Sequence, residues 1–273
     1  MITFPNCKIN LGLWVTQRRS DGYHNIQTVM YPIPWCDILE IVPAINTKTT
    51  LTITGIQIEG NTENNLSFRA WQLMAETYKI PSVSMHLHKV VPTGAGLGGG
   101  SSDASFTLKM LNEMFALDLS NEMLRSLAVQ LGMDCPFFIE NEPSVSTGRG
   151  EFLKPVRLNL DGYYLVIVKP PLHLSTAAAF AGIRPLERQV SIVELISLPV
   201  QDWKNVLYND FENIVFELYP DILEIKNSLY RQGAVYAALS GSGSAVYGLF
   251  SGNQFQFGFP GCTVFQTLLG SQS

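Results

Sequence analysis

The residues with the clearest chemical signature form a glycine-rich run between Pro92 and Ser102, at the junction of a predicted strand and a predicted helix. Glycines let backbone N–H groups approach an anion closely, and the start of a helix adds positive potential at the same place. Ser101 and Ser102 add hydroxyl groups that can act as donors or as a metal ligand. A flexible linker or a tight structural turn is the alternative, but so many glycines at one strand–helix junction favour phosphate binding.

Two familiar phosphate-binding motifs do not account for this run. Gly94, Gly96 and Gly99 match the dinucleotide fingerprint GxGxxG. That fingerprint requires a second strand that ends in an acidic residue about 20 residues further on, whereas here the predicted helix is followed by another helix. The Walker A pattern requires a lysine where Gly100 stands. The run therefore predicts a third nucleotide-binding architecture.

Asp134 and Lys8 are candidate partners of the glycine run in phosphoryl transfer. Phosphorylating a hydroxyl requires a group that takes its proton and a charge that stabilises the transferring phosphoryl group. Asp134 follows a predicted helix and precedes Pro136, and its spacing alone favours a catalytic base and a turn cap equally. Lys8 begins an apolar strand, where the residues alone favour a solvated lysine.

Three histidines and a tyrosine are considered next as ligands for a nucleobase or a metal ion. Tyr23 and His24 follow a glycine turn, so the pair suits a nucleobase, with the ring stacked on its face and the imidazole bonded to its edge. The alternative is an aromatic residue that anchors the turn. His86 and His88 share one face of a predicted strand, but no third ligand stands at a usable spacing, so we expect a solvated face and no metal site there.

The elements that position these residues are mixed. Before residue 150 we predict four strands, at 9–15, 38–42, 51–54 and 83–88, and helices at 66–78, 103–117 and 121–131. After it we predict strands at 163–168, 234–239 and 245–250, and helices at 177–181, 186–207 in pieces, and 220–232. Regular alternation of strand and helix is absent from this pattern. We therefore expect two α+β domains with a boundary near 150.

Composition narrows the class of protein. The chain of 273 residues is 46% hydrophobic and 15% charged, which excludes intrinsic disorder. Its formal net charge of −5 lacks the footprint of a nucleic-acid binder. The four cysteines are scattered without CxxC spacing and indicate free thiols. Since no secretory signal or membrane-spanning run is recognised, we expect a cytoplasmic monomer or homodimer that binds neither membrane nor nucleic acid.

Several motifs, in the same order along the chain, resemble the GHMP small-molecule kinases. The central one is the glycine run, continued to Ala104. The others are Lys8–Leu11 with Arg19–His24, Leu131–Phe138, Gly148–Glu151, Asn209–Glu212 and Ser240–Ser244. They cover the chain from about residue 5 to residue 250. The segments around Tyr23 and around the glycine run are specific in combination.

The resemblance implies a fold and an activity. It implies a two-domain α+β fold, with a ribosomal protein S5 domain 2-like domain at 1–152 that binds ATP and a ferredoxin-like domain at 153–273. Within the family, the nearest likeness is to members that phosphorylate the 2-hydroxyl of cytidine-diphosphate-linked methylerythritol in the non-mevalonate isoprenoid pathway. ATP is then the co-substrate, and Mg²⁺ is expected with it; the sequence leaves open which side chain binds the ion.

The resemblance also assigns roles to individual residues. Lys8 orients the general base Asp134 and stabilises charge on the transferring group. The substrate-binding residues are Asn10, Tyr23, His24 and Thr176, although capping a helix explains Thr176 equally well. The ATP-binding residues are Asn65, Pro92, Gly94, Gly96, Leu97, Gly98, Gly99, Gly100, Ser101 and Ser102.

Some positions differ from the family pattern, and the sequence leaves other functions open. Cys7 stands where the family usually has alanine, and Asp103 where it often has asparagine; we expect Asp103 to cap the helix as its first residue. The segment 252–261 does not resemble the family. A homoserine, mevalonate or sugar kinase, a dinucleotide-dependent oxidoreductase and a non-enzymatic nucleic-acid-binding module are the other hypotheses.

Overall fold

The structure is a computed structural model that describes residues 1–45, 48–58, 60–172, 174, 179–180, 182–252 and 258–270. The chain divides into two compact units. The first consists of Met1–Lys8, Pro32–Thr93 and Gly98–Glu142, and the second of Ile9–Tyr31, Gly94–Leu97 and Pro143–Ser273. Each unit is therefore built from segments that are separated in sequence, and the glycine run contributes residues to both.

Strands and helices follow one another along the chain without regular alternation. They are β1 (Ile2–Thr3), β2 (Asn6–Arg18), β3 (His24–Cys36), β4 (Ile38–Pro43), β5 (Thr50–Gly55), α1 (Leu66–Tyr78), β6 (Val83–Lys89), α2 (Gly99–Met114), α3 (Asn121–Leu131), α4 (Phe137–Glu140), β7 (Ser144–Gly148), β8 (Phe152–Pro155), β9 (Tyr164–Lys169), α5 (Ile192–Ile196), α6 (Glu212–Leu218), α7 (Pro220–Arg231), β10 (Tyr236–Leu239), β11 (Val246–Phe250) and β12 (Thr263–Leu268). Short 3₁₀ helices span Thr62–Asn64 and Val200–Asn205.

The first unit contains a four-stranded sheet in the order β1-β4-β6-β5. β4 pairs with β6 antiparallel, whereas β5 pairs with β6 parallel, and α1 forms the connection that parallel strands require. Alternate residues of β6 are buried, as the alternating sequence predicts. They pack with apolar residues of α1, α2 and α3 in one core, which includes Leu39, Ile41, Met74, Leu87, Leu108 and Leu127.

The helix ends of the first unit follow from local sequence. Asn65 caps α1, where its Oδ1 accepts from the N–H of Ser67 at 2.9 Å. Ser120 caps α3 through a 3.3 Å bond from the N–H of Met123 to its Oγ, and Gly132 ends that helix. Small polar side chains at N-caps satisfy N–H groups that have no partner within the helix.

The second unit contains an antiparallel sheet in the order β10-β11-β9-β12. Its helix α7 begins at Pro220 and ends shortly before Gly233, which has a φ of +97°. Apolar residues of this sheet and helix share a core with residues of β2 and α6, including Leu13, Val166, Val215, Leu229 and Val246. A third sheet has the order β2-β3-β7-β8, and Ile26–Met30 of β3 pairs antiparallel with Ser144–Gly148.

The predicted α+β class is confirmed, and one predicted helix boundary is wrong. α2 begins at Gly99 and not at Asp103, so Asp103 is an interior helix residue that does not cap the helix. Most of the predicted helix 177–181, including the candidate residue Thr176, lies outside the described residues, as does much of 252–261. Within the described part of the chain, none of the helices combines the length and apolar character that crossing a bilayer demands.

Candidate active site

Lys8 and Asp134 lie together in the first unit. The distance from Lys8 Nζ to Asp134 Oδ2 is 3.4 Å. The Lys8 side chain is 3% exposed and that of Asp134 is 34% exposed. The lysine is therefore not the solvated residue that its sequence context suggested, and the carboxylate beside it remains open to a reactant. A buried cation next to a partly exposed carboxylate is an arrangement that can receive a proton from a hydroxyl group.

The turn that carries Asp134 is fixed by backbone hydrogen bonds. α3 ends at Gly132, and the carbonyl of Gly132 accepts from the N–H of Cys135 at 3.2 Å. The carbonyl of Asp134 accepts from the N–H of Phe137 at 3.3 Å. Ser105 of α2 donates its hydroxyl to the carbonyl of Cys135 at 2.7 Å, which ties the turn to the helix that follows the glycine run.

Gly98 packs directly against Lys8. A Cβ at Gly98 would lie 3.1 Å from Lys8 Cε and 3.1 Å from Phe138 Cζ, and the residue has a φ of +71°. Both the space and the backbone conformation favour glycine. The loop residue that precedes α2 and the lysine that pairs with Asp134 are thus neighbours, which the sequence could not show.

The N-terminus of α2 lacks a side-chain cap. Gly98 is the N-cap residue and offers no side-chain acceptor, so the N–H groups of Gly99, Gly100 and Ser101 begin the helix without one. Such N–H groups, with the helix dipole, form a site for an anion. Because the helix begins four residues earlier than predicted, it is glycine that occupies this first turn, and an anion can come close to the backbone.

The side chains of Ser102 and Asn65, two predicted ATP-binding residues, lie in different settings. The Ser102 side chain is fully buried, and its hydroxyl has no hydrogen-bond partner among the described atoms. Buried hydroxyl groups are usually paired, so a hydrogen-bonding ligand or water would satisfy this one. The side chain of Asn65 caps α1, and Leu66 Cδ1 lies 3.9 Å from the Cβ position of Gly100. Pro92 is buried in the strand-to-helix connection.

The two glycine clusters of the sequence meet in the second unit. A Cβ at Gly96 would lie only 1.9 Å from the carbonyl oxygen of Ser240, so only glycine fits there. Ser240 Oγ donates to the carbonyl of Gly96 at 2.9 Å, and the N–H of Ala245 donates to the carbonyl of Ala95 at 3.1 Å. Gly94 is exposed and Leu97 is buried. Close backbone approach therefore accounts for Gly96 independently of any ligand.

Asn209, in a segment singled out by the sequence motifs, holds the Ser240 turn in place. Its Nδ2 donates to the carbonyls of Leu239 and Gly241, both at 2.8 Å. The neighbouring Asp210 accepts from the N–H of Val15 at 2.8 Å. The late glycine motif and the Asn209 motif are thus parts of one hydrogen-bonded structure.

Asn10, a predicted substrate ligand, is buried in the second unit. Its Nδ2 donates to Thr28 Oγ1 at 3.0 Å, and its N–H donates to Ser240 Oγ at 3.3 Å. Its carbonyl accepts from the hydroxyl of Tyr247 at 2.8 Å. These bonds give Asn10 a structural role beside the Ser240 turn.

Tyr23 and His24 present aromatic surface in the second unit. Tyr23 is 55% exposed, and the guanidinium carbon of Arg149 lies 5.5 Å from its ring centroid. The His24 ring stacks on Phe180, with 5.2 Å between centroids and 19° between planes. Burial and then the charge of Arg18 lower the pKa of His24, which favours the neutral ring near pH 7. A neutral imidazole both donates and accepts, as the edge of a base requires.

Sequence reasoning missed Phe180 and a buried charge cluster. Phe180 lies in the predicted helix 177–181, which is rich in alanine. Its aromatic ring was the one feature of that stretch that could have suggested stacking on a base. In the first unit, Lys89 Nζ donates to carboxylates of Asp37 and Asp103, and all three side chains are at most 3% exposed. The structure corrects the prediction for Asp103, which is bound to Lys89 and does not cap the start of a helix.

His86 and His88 share one hydrogen-bond partner. His86 Nε2 and His88 Nδ1 each lie 2.9 Å from Thr54 Oγ1 on the neighbouring strand. Across the described residues, no group of three or more histidine, cysteine, aspartate or glutamate side chains is arranged to hold a metal ion. The four cysteines are free thiols.

Comparison with known families matches both halves of the chain. The family described as GHMP kinases N terminal domain matches residues 65–142, and that described as GHMP kinases C terminal matches residues 195–256. The first match contains the whole glycine run, α2 and Asp134. The class of protein that the fold and the site define is a small-molecule kinase, which uses ATP as co-substrate.

Similar proteins narrow this class. A protein of Bacteroides thetaiotaomicron named 4-diphosphocytidyl-2-C-methyl-D-erythritol kinase is 52% identical over 252 residues, 92% of each chain. A Bacteroides fragilis protein of the same name is 51% identical over 253 residues, again 92% of each. A crystal structure of 4-(cytidine 5'-diphospho)-2C-methyl-D-erythritol kinase is 32% identical, with a TM-score of 0.78 over 91% of this chain and 90% of that one.

The chain belongs to the GHMP kinase family and, within it, to the family of 4-diphosphocytidyl-2-C-methyl-D-erythritol kinases. The resemblance expected from the motifs and the two-domain GHMP kinase fold are confirmed. The alternatives of a dinucleotide-dependent oxidoreductase and a non-enzymatic module are wrong.

Proposed function

We propose that the chain transfers the γ-phosphoryl group of ATP to the 2-hydroxyl of 4-diphosphocytidyl-2-C-methyl-D-erythritol, with Asp134 as general base and Lys8 as its charged partner. The observation that carries this proposal is the 3.4 Å pair of Lys8 Nζ and Asp134 Oδ2, whose lysine packs on Gly98 at the uncapped start of α2. The names of the relatives supply the substrate.

In the proposed reaction, the 2-hydroxyl oxygen bonds to the γ-phosphorus while the bond from that phosphorus to the β–γ bridging oxygen breaks. The hydroxyl proton passes to Asp134, and ADP leaves with the bridging oxygen. The Lys8 ammonium orients the carboxylate and offsets negative charge on the transferring group. Because Lys8 is nearly buried, its charge acts with little screening by water.

We assign the phosphates of ATP to the first turn of α2 and the glycine run, from Pro92 and Gly94 to Ser102. Backbone N–H groups and the helix dipole supply the positive potential there, which reconciles a polyphosphate ligand with an acidic chain of net charge −5. Mg²⁺ fits as an ion that arrives with the nucleotide, since phosphate oxygens and water are its preferred ligands and no described side-chain cluster is built for it. Asn65 and Leu66 flank the proposed adenine position.

The cytidine half of the acceptor is assigned to Tyr23 and His24, with Phe180 as a third aromatic residue. The His24–Phe180 stack offers a ring face, and the neutral imidazole offers hydrogen bonds to a base edge. Asn10 and Thr176 complete the proposed acceptor site. The functional division into an ATP-binding domain at 1–152 and a second domain at 153–273, the cytoplasmic location and the monomeric or dimeric state remain predictions.

Steady-state kinetics test this function. Purified protein with Mg-ATP and 4-diphosphocytidyl-2-C-methyl-D-erythritol should release ADP and yield the 2-phosphate, identified by ³¹P NMR. Homoserine and mevalonate should give no turnover. Absence of ADP release with the proposed acceptor, or faster release with another one, contradicts the substrate assignment.

Two variants test the catalytic pair. Asp134→Asn and Lys8→Met should each lower kcat by about 10²- to 10⁴-fold, because each removes a group that acts in the transition state. Both should still bind Mg-ADP. The exposed Asp118 and Lys154 provide matched controls as Asp118→Asn and Lys154→Met. An Asp134→Asn variant with the kcat of the Asp118→Asn control removes Asp134 from the mechanism.

A further inference from the structure

Lys89, Asp37 and Asp103 form a charge cluster that the proposed mechanism does not use. Lys89 Nζ donates to Asp103 Oδ2 at 2.7 Å and to Asp37 Oδ2. The side chains of Lys89 and Asp37 are 0% exposed, and that of Asp103 is 3% exposed. Buried charges are costly unless they are paired, so this cluster constrains the segments that carry it.

The cluster holds the two segments of the first unit that flank the glycine run. Lys89 is the last residue of β6, and Asp37 Oδ1 accepts from the N–H groups of Val90 and Val91 at 2.6 and 2.8 Å. Asp103 lies on α2, beyond the glycines. Lys89 Nζ also lies 3.5 Å from the Cβ position of Gly99, the first residue of that helix. The cluster is therefore immediately behind the turn to which the phosphates are assigned.

The cluster has an unbalanced charge when every group is ionised, because two carboxylates face one ammonium. Asp103 Oδ1 has no hydrogen-bond partner among the described atoms. Burial raises the pKa of Asp103 from 3.8 to about 7, against the opposing effect of Lys89, and Asp37 raises it further. For Lys89, burial acts to lower the pKa, but the two carboxylates outweigh it and the net direction is upward.

The described charged groups that face Asp103 are Lys89 from β6 and Asp37 from the turn after β3. The thiols of Cys7 and Cys36 also interact with Asp37, but burial raises the pKa of both, so they stay neutral. One proton at Asp103 makes the cluster neutral.

We propose that Asp37, Lys89 and Asp103 are positioning residues for the phosphate-binding turn of α2, and that nucleotide binding is accompanied by uptake of one proton from solvent at Asp103. The inference rests on the proposed function, which places phosphates at that turn. A polyanion at the turn disfavours a net negative cluster behind it, so it shifts Asp103 toward its protonated form. By linkage, the protonated protein then binds the nucleotide more tightly.

Nucleotide affinity depends on pH through the protonation of Asp103. Below the pKa of the free protein, Asp103 already holds its proton and binding takes up none. Above that pKa, and up to the higher pKa of the complex, binding takes up a proton and affinity falls as pH rises. Each pKa unit added by the nucleotide lowers the affinity about tenfold across this window.

Isothermal titration calorimetry with Mg-ADP tests the coupling at pH 7.5 in two buffers of different ionisation enthalpy. The difference in heat between the buffers gives the protons taken up. Wild-type protein and the exposed control Asp118→Asn should take up the same number of protons. Part of this uptake comes from the nucleotide itself and is common to all variants. Asp103→Asn should take up fewer protons and bind Mg-ADP with a flatter pH dependence between pH 6.5 and 8.5. A merely structural residue would change the affinity without changing proton uptake.

The outcomes separate the two proposals. If wild-type protein does not bind Mg-ADP, the assignment of the phosphate site is wrong. If Mg-ADP binds with the same proton uptake in wild type and Asp103→Asn, the inference is overturned and the nucleotide site stands. Should Asp103→Asn fail to fold, ¹³C NMR of aspartate carboxyl groups in wild-type protein replaces it. One buried carboxyl that titrates near pH 7 and shifts upward with Mg-ADP supports the inference, and its absence refutes it.

Discussion

Replacing Gly98 with alanine would test whether the glycine run positions the catalytic pair. Gly98 has a φ of +71°, and an added Cβ would lie 3.1 Å from Lys8 Cε and from Phe138 Cζ. The phenyl ring of Phe138 is fully buried and has little room to move. The lysine stem is therefore expected to shift, and its Nζ would shift with it, away from its 3.4 Å contact with Asp134.

The size of the effect follows from these distances. Carbon atoms in contact lie about 3.5–4.0 Å apart, so Lys8 Cε must move about 0.4–0.9 Å. Left-handed backbone costs a non-glycine residue about 1–2 kcal/mol, and overpacking costs about 1–3 kcal/mol more. We therefore expect a loss of about 2–5 kcal/mol in the free energy of unfolding. A misplacement approaching 1 Å can reduce turnover about 10²-fold, so we expect kcat to fall about 10- to 100-fold.

Coupled ADP release and chemical unfolding provide the measurements, and Gly162→Ala is the matched control. Gly162 has a φ of +82°, but a Cβ there meets no atom within 4 Å. The control should lose about 1–2 kcal/mol from backbone strain alone and keep its kcat. The reasoning is refuted if Gly98→Ala loses no more stability than Gly162→Ala and turns over substrate at the wild-type rate.

Ser105, Phe180 and the four cysteines offer further tests. Ser105→Ala should lower the free energy of unfolding by about 1–3 kcal/mol and reduce kcat, because the Cys135 carbonyl in the Asp134 turn loses its donor. The control Ser126→Ala, on an exposed face, should change neither the stability nor kcat. Phe180→Ala should raise KM for the cytidine-containing acceptor about tenfold and leave KM for ATP unchanged in steady-state assays; an equal rise in both would contradict its place in the acceptor site. All four thiols should react slowly with a chromogenic disulfide reagent at pH 7.5, because burial raises the pKa of each thiol, to about 12 for Cys135. Rapid reaction of one thiol per chain would refute this prediction.

Local sequence was enough to predict elements whose ends depend on local chemistry. The predicted helix 121–131 is α3, which Ser120 caps and Gly132 ends, and the predicted helix 220–232 is α7, which begins at Pro220. Both were recognisable because capping and proline geometry act within one turn of the helix. The alternation of β6 and the apolar run of β9 also identified strands correctly.

Long-range pairing explains what the sequence could not provide. Asp103 looked like a helix cap because acidic residues favour helix starts, but its partner Lys89 is reached only through the folded core. The sequence favours a solvated Lys8 because the residue begins an apolar strand. Its burial beside Asp134 depends on the absence of a side chain at Gly98, which is a tertiary contact.

The interleaving of the two units constrains how the protein can be made. Ile9–Tyr31 leaves the ribosome early, yet it belongs to the unit whose remaining residues come almost entirely from Pro143 onward. The hydrogen bond from the Val15 N–H to the carboxylate of Asp210 cannot form until Asp210 has been synthesised, much later. Contacts between residues so distant in sequence slow folding and leave strands unpaired in the meantime. A nascent chain of this protein therefore presents one edge of β3 without a partner until its pairing strand, Ser144–Gly148, has been synthesised, and an open strand edge favours aggregation.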